Sequence, residues 1–211
     1  MSLLFAACEG TSAGPAAEPA HPMVHNATPN VTPEAPGPET ASSDRMFLDM
    51  MVPHHQGAVD MARIALERAE HPELKALAES IITSQEAEIA TMTAWRKAWF
   101  GSDAAPAMGA GMEHSGMSGH SGMSGMMDMS KSIEALKTAE PFDLAFIDAM
   151  IPHHEGAVHM AGMARGKTER AEIKDLAASI TVAQQKEILQ LQEWRKAWFP
   201  TAQAAAPGMA H

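Results

Sequence analysis

Two pairs of adjacent histidines, His54-His55 and His153-His154, stand in stretches that recur almost unchanged along the chain. Methionines flank each pair at helical spacing. Imidazole nitrogen and thioether sulfur together form a donor set that suits Cu(I) better than harder ions. The pattern therefore predicts soft-metal ligands within the repeats, and the candidates are Met51, His54, His55, Met61, Met150, His153, His154 and Met160.

A purely structural role also explains these histidines. Buried polar side chains need hydrogen-bond partners, and carboxylates of a neighbouring helix can supply them. Each repeat carries such a carboxylate, Glu88 or Glu187, on an otherwise apolar stripe. These glutamates could orient a histidine ligand or bind the ion themselves, and the sequence leaves both roles open.

A second group of donors lies between the repeats, in residues 104–130, which are dominated by Gly, Ser, Met and His. No apolar period fits this segment, so its composition predicts a flexible linker. Methionines in such a linker have no packing role, and several thioethers could gather around one soft ion. A linker without function is the alternative. The candidate ligands here are Met112, His114, Met117, His120, Met123 and Met126.

The repeat that holds the histidine pairs has a constant offset of 153 − 54 = 99 residues. The segment from Trp95 to Phe100 returns unchanged from Trp194 to Phe199, again at 194 − 95 = 99. The distance from the histidine pair to the Trp-to-Phe segment is thus the same in both copies, so each repeat is one structural unit. Its apolar spacing is helical, and Pro72 suits a helix start. The predicted helices span about 44–69, 72–100, 131–139, 141–165 and 169–199.

A helical hairpin cannot bury its own apolar stripe, so we expect an all-α fold in which two tandem hairpins form a four-helix bundle. The predicted organisation is a tether at 1–43, a hairpin at 44–103, the linker at 104–130, a hairpin at 131–200 and a disordered tail at 201–211. A helical wheel places His55 at the edge of the inward face of the first helix. The inward residues are predicted to be Phe47, Met50, Met51, His54, Ala58, Met61 and Ala65.

The composition excludes several classes of protein. A formal net charge of −11 leaves no basic face for nucleic acid or an anionic membrane. The single cysteine, Cys8, excludes an intrachain disulfide and a cysteine-based metal site. The run that ends at Cys8 resembles the tail of a bacterial lipoprotein signal, which predicts a lipid anchor there, an ordinary N-terminus being the alternative. We expect no transmembrane segment.

The repeated motif, Phe-(Leu/Ile)-Asp-x-Met-(Val/Ile)-Pro-His-His-x-Gly-Ala-Val-x-Met-Ala, resembles that of the bacterial DUF305 family, a domain of unknown function. The resemblance covers residues 47–100 and 146–199. It implies a ferritin-like bundle and, because some members bind copper in the periplasm, copper as the ligand. It points to the same eight His and Met residues of the repeats and does not distinguish between adjacent histidines.

The leading hypothesis is a copper-binding protein of the bacterial cell envelope that sequesters or buffers Cu(I), with Cu(II) as the second choice. It has no catalytic step, and it could exchange copper with another envelope protein. One alternative is a ferritin-like di-metal oxidoreductase. Such sites normally use Glu-x-x-His motifs, whereas the turn before His54 offers Met51. The other alternative is a structural or partner-binding bundle without metal.

Overall fold

The protein folds as a helical bundle in a computed structural model, which describes residues 38–101 and 129–201. Helices α1 (Pro38–Arg68) and α2 (Pro72–Phe100) form the first hairpin. A short helix, α3 (129–136), precedes the second hairpin. That hairpin consists of α4 (Phe142–Lys167) and α5 (Ala171–Trp198). The predicted all-α bundle of two hairpins is confirmed.

The helix boundaries agree with the sequence pattern except at the start of α1. That helix begins at Pro38 rather than at Asp44, so residues 38–43, which the sequence assigns to the tether, are helical. Pro38 suits this place because proline has the right φ for a first helical position. Helix α2 keeps its predicted bounds and ends at Phe100. Gly101 follows it with a left-handed φ of 73°, and its N–H donates to the Lys97 carbonyl.

The two hairpins pack together along α1 and α4, while α2 lies against α1 and α5 against α4. Their contacts form two apolar clusters. The first cluster combines the end of α1 and the starts of α2 and α4, and includes Ala58, Met61, Leu74, Ile81, Phe146 and Met150. The second combines the start of α1, the end of α4 and the start of α5, and includes Phe47, Met51, Ala157, Ala161, Ile173 and Ile180.

A pseudo-two-fold relation exchanges these clusters. Ala58 and Ile81 of the first cluster correspond, at the offset of 99 residues, to Ala157 and Ile180 of the second. The sequence repeat is therefore also a spatial repeat. Each cluster takes side chains from both hairpins, so both hairpins are needed to complete either half of the core.

A buried carboxylate closes one end of the bundle. Asp143, near the start of α4, accepts hydrogen bonds from the backbone N–H groups of Glu70 and His71, each at 3.0 Å. Its Oδ2 also lies 2.5 Å from the Nδ1 of His71. The His71 ring stacks on Trp198, with ring centroids 3.7 Å apart. The turn between α1 and α2 is thereby attached to the second hairpin.

The other end has the equivalent arrangement with a different residue. Arg170 stands where the first repeat has His71, and its Nε lies 3.2 Å from Oδ2 of the buried Asp44. The Arg170 guanidinium carbon is 4.0 Å from the ring centroid of Trp99, the counterpart of Trp198. Ion pairing and cation–π contact thus replace the histidine contacts. Among the described helices, none combines the length and apolarity needed to cross a membrane.

Candidate metal centre

A polar layer separates the two apolar clusters at mid-height in the bundle. Along every long helix the polar residues fall between the stretches that supply the clusters. We call this set the histidine layer; it comprises His54, His55, Gln85, Glu88, His153, His154, Gln184 and Glu187. Six of these eight side chains are titratable and they lie together inside the bundle, so the layer is the candidate functional site.

One histidine of each pair faces a glutamate of its own hairpin. His55 is completely buried, and its Nε2 lies 2.7 Å from Oε2 of Glu88. His154 Nε2 lies at the same 2.7 Å from Oε2 of Glu187, but outside hydrogen-bond geometry. An ionised carboxylate can only accept hydrogen bonds, so Nε2 of His55 donates to Glu88. In a neutral imidazole that donates through Nε2, the lone pair is on Nδ1.

The inward face predicted for α1 is confirmed at Phe47, Met51, Ala58, Met61 and Ala65, which are all buried, and is wrong at Met50, which is 36% exposed. His55, which the wheel places at the edge of that face, is the fully buried histidine. It is buried because α1 packs against two helices at once, α2 and α4. His55 points to α2 and His54 to α4, so the buried sector is wider than the single face that a wheel assumes.

The remaining histidines meet at the junction of the hairpins. The ring centroids of His54 and His153 are 3.9 Å apart, with an angle of 40° between the planes. His153 is also next to His154, at 6.2 Å between centroids. A Cβ added at Gly156 would lie 3.2 Å from His54 Nε2, so the glycine gives this ring room against α4.

Burial keeps these two rings uncharged. Desolvation, with His55 and His154 adding in the same direction, lowers the pKa of His54 to about 3. Burial also lowers the pKa of His153 well below its usual range, and the neighbouring histidines lower it further. Both imidazoles are therefore neutral at pH 7. A neutral imidazole keeps one nitrogen lone pair available for a metal ion.

The layer contains polar atoms that the protein leaves unsatisfied. The Nδ1 atoms of all four histidines are buried without a hydrogen-bond partner in the protein, as are Nε2 of His154 and the Oε1 atoms of Gln85 and Gln184. Buried polar atoms are nearly always paired with protein groups or bound water, so this layer offers donors and acceptors to a water molecule or an ion. Nitrogen lone pairs are suitable ligands for copper, and the residues present therefore fit a bound copper ion.

The candidate methionines of the repeats lie in the apolar clusters on either side of this layer. Met61 and Met150 are buried in the first cluster and Met51 in the second. Met160 is half-buried against the second cluster. Their burial is also what packing alone would produce. The linker candidates, from Met112 to Met126, lie outside the described residues, as do Cys8 and the predicted tail beyond residue 201.

Met129, one of the linker methionines that could gather around a soft ion, does reach the layer. Met129, at the start of α3, places its Sδ 3.3 Å from Nε2 of His153. Composition groups Met129 with the linker, and only the predicted short helix near residue 131 hinted that this part of the chain is ordered. Across residues 38–101 and 129–201, no three side chains among His, Asp, Glu and Cys are grouped to hold a metal ion. A tight site there would need a thioether as well.

Each histidine pair follows a proline inside the helix, Pro53 in α1 and Pro152 in α4. Proline lacks the N–H that would bond the carbonyl four residues earlier, on Asp49 or Asp148. The side chains of these aspartates bind arginines of the neighbouring helices. Arg96 Nε donates to Asp49, and Arg195 donates to Asp148 through Nε at 2.5 Å and Nη2 at 3.2 Å. The ion pairs fasten the interrupted turn directly before the histidines.

Residues 44–195 match the family model described as a domain of unknown function, DUF305. The match includes both hairpins and the whole histidine layer. The chain belongs to the DUF305 family.

Solved DUF305 structures share the fold. CopM in its Cu(I)-bound form is 42% identical to this chain, with a TM-score of 0.62, covering 74% of this chain and 97% of CopM. CopM has also been solved in Cu(II)-bound and Ag-bound forms. A DUF305 fragment from Deinococcus radiodurans is 28% identical, with a TM-score of 0.59, covering 74% of this chain and 97% of the fragment.

A shorter sequence match links this DUF305 chain to a viral protein. The uncharacterized protein L153 of Acanthamoeba polyphaga mimivirus is 41% identical over 49 residues. The match covers 23% of this chain and 32% of the viral protein, so it spans about a third of that relative.

Proposed function

We propose that this protein binds copper in the bacterial cell envelope and sequesters or buffers it there, with Cu(I) as the preferred state. Support comes from its likeness to CopM, of which Cu(I)-bound and Cu(II)-bound structures exist, at 42% and 44% identity. The observation that carries the proposal is the set of unsatisfied Nδ1 atoms on the four histidines of the layer. The rings of His54 and His153 are neutral at pH 7, so each can offer a nitrogen lone pair to a metal without prior loss of a proton.

His55 and His154 are the best-oriented ligands in this proposal. Each has Nε2 2.7 Å from a glutamate oxygen and a buried Nδ1 without a hydrogen-bond partner in the protein. Histidines that bind metals commonly donate their other ring nitrogen to a carboxylate, which fixes the ring and makes it more basic. Glu88 and Glu187 therefore orient ligands rather than bind the ion.

The linker would provide a second, more adaptable set of donors. Its methionines and histidines could take up Cu(I) and pass it to the bundle. The proposal includes no catalytic step. It places the protein in the periplasm or on a membrane through a lipid at Cys8, where another envelope copper-handling protein would exchange the ion. No described feature favours the di-metal oxidoreductase, since Glu88 and Glu187 pair with histidines of their own hairpins.

Copper retention by the purified full chain tests the proposal. The protein is loaded anaerobically with Cu(I), desalted and analysed for copper per chain. The double substitution His55→Gln with His154→Gln keeps an amide donor for each glutamate but removes Nδ1. We expect it to lose at least one copper equivalent, while His159→Gln, on the exposed part of α4, retains all. A wild-type protein that retains no more copper than an unrelated histidine-containing bundle would disprove the function.

A linker variant separates the two sets of donors. It carries serine at six positions, Met112, His114, Met117, His120, Met123 and Met126, and keeps the length of the chain. If only this variant loses copper and the double histidine variant retains it, the bundle assignment is wrong. If both lose copper, each set contributes.

A further inference from the structure

Met129 is the point at which the linker meets the histidine layer. It is the first residue of α3, its side chain is half-buried, and its Sδ is 3.3 Å from His153 Nε2. Nitrogen and sulfur ligands bind a metal at roughly 2.0 to 2.3 Å, so two ligands of one ion must lie within about 4.5 Å of each other. The sulfur and the ring nitrogen satisfy this condition.

A glycine makes room for the sulfur. A Cβ built on Gly57 would overlap Sδ of Met129 and would lie 3.0 and 3.2 Å from its Cγ and Cε. Gly57 is buried inside α1, where any residue except proline would be the better helix former. The thioether therefore occupies the volume in which a side chain would otherwise stand.

The second repeat uses its equivalent glycine differently. Gly156 receives the ring of His54, whose Nε2 would be 3.2 Å from an added Cβ. By pseudo-symmetry His153 should lie against Gly57 in the same way, but the Met129 side chain supplies all the atoms nearest to that position. The residue 129 − 99 = 30 is Asn30, which has no sulfur. Among the described residues, a thioether therefore stands against Gly57 and an imidazole against Gly156.

We propose that Met129 is a thioether ligand which, with His153, forms a site for a soft monovalent ion, and that Gly57 positions its sulfur. The inference rests on the proposed copper binding and names one of the ligands. Thioether sulfur favours Cu(I) over Cu(II) and Zn(II). Met129 therefore accounts for a preference that four imidazoles alone would not give.

Two substitutions separate ligation from packing. Met129→Leu keeps a similar apolar volume and removes the sulfur. Gly57→Ala keeps the sulfur, but its added methyl group occupies the volume in which Sδ of Met129 lies. Gly162→Ala is the matched control, because an added Cβ at this position of α4 meets no atom within 4 Å.

The readout is NMR of the full chain with 13C-methyl-labelled methionine, combined with anaerobic competition against a Cu(I) chelator. With less than one equivalent of Cu(I), we expect the Met129 methyl and His153 ring signals to shift together. Both Met129→Leu and Gly57→Ala should lower the Cu(I) affinity of this site by about tenfold or more, a typical effect of disturbing a metal site. Gly162→Ala should match the wild type. Zn(II) affinity should change in none of the variants.

Different results overturn the two proposals. If wild-type protein binds Cu(I) while the Met129 methyl does not shift, or if Met129→Leu keeps wild-type affinity, Met129 is not a ligand and the proposed function stands. If wild-type protein binds no Cu(I), the proposed function fails first. A circular dichroism spectrum of each variant shows that the bundle is folded before the titration.

Discussion

His54 and His153 face each other across the junction of the two hairpins, with ring centroids 3.9 Å apart. Two protonated rings at that distance would repel each other inside the core. The apo bundle therefore depends on both rings staying neutral, and this links its stability to pH.

The free energy of unfolding of the apo protein should fall as the pH drops below about 6.5, the ordinary pKa of histidine. Below that pH the two histidines are protonated in the unfolded chain but not in the native state, because the folded pKa of His54 is about 3 and that of His153 is also lowered. The loss continues until the pH approaches the folded pKa. Urea unfolding at pH 7, 6, 5 and 4 measures it.

The control for this pH dependence is a pair of variants. His54→Gln with His153→Gln should flatten the decline between pH 6.5 and 4, whereas His159→Gln, on an exposed position, should retain the wild-type slope. An unchanged slope in the double variant would assign the acid sensitivity to other groups.

Removing a glutamate from the histidine layer should destabilise the apo bundle. Glu88→Ala leaves the buried His55 without its partner, and an unmatched buried group costs about 1 to 3 kcal/mol. Glu88→Gln should cost less because an amide oxygen can still accept. Glu86→Ala is the control: its ion pair with Arg63 is exposed, so the loss should stay below about 1 kcal/mol. Equal losses for Glu86→Ala and Glu88→Ala in chemical denaturation would contradict the assignment.

The carboxylate at the end of the bundle should matter more than its exposed neighbour. Asp143→Ala removes the acceptor for two backbone N–H groups and for the His71 ring, and should cost at least about 2 kcal/mol. Glu140→Ala loses only an exposed contact with Arg68 and should change the midpoint of thermal unfolding little. A small effect of Asp143→Ala would mean that water replaces the carboxylate.

Two glycine substitutions should have opposite signs in the metal-free protein. Gly162→Ala gains helix propensity, about 0.5 to 1 kcal/mol, because its added methyl meets nothing. Gly57→Ala gains the same propensity but must displace Met129, and such overpacking costs about 1 to 3 kcal/mol. Thermal unfolding compares the two. A stabilised Gly57→Ala protein would show that α3 moves away at little cost.

The constant offset of 99 residues was enough to predict the hairpins and the bundle, because a helical hairpin has few ways to bury one apolar stripe. Because buried polar groups need partners, the sequence also predicted that Glu88 and Glu187, which lie on apolar stripes, would pair with histidines. It did not identify which histidine, since the wheel treats α1 as having one buried face. The structure buries α1 against both α2 and α4, which brings His55 inside.

Contacts between distant parts of the chain could not be predicted from the local spacing of residue types. The linker has no apolar period, so nothing in its composition marks Met129 as the residue that reaches His153. Likewise, Asp44 and Asp143 look like ordinary polar residues near helix starts, and only the packed bundle shows that each lies buried beside the turn of the other hairpin. Such pairings depend on how the two hairpins approach each other, which periodicity does not encode.

The exchange of the two apolar clusters by the pseudo-two-fold makes this chain the covalent equivalent of a homodimer. A separate single repeat would have half of each cluster and would have to find a second copy of itself. Joining the copies removes the concentration dependence of that encounter. The connecting segment can then contact one of the two equivalent positions and not the other. The two halves of the fused protein can therefore differ, whereas the two halves of a symmetric homodimer cannot.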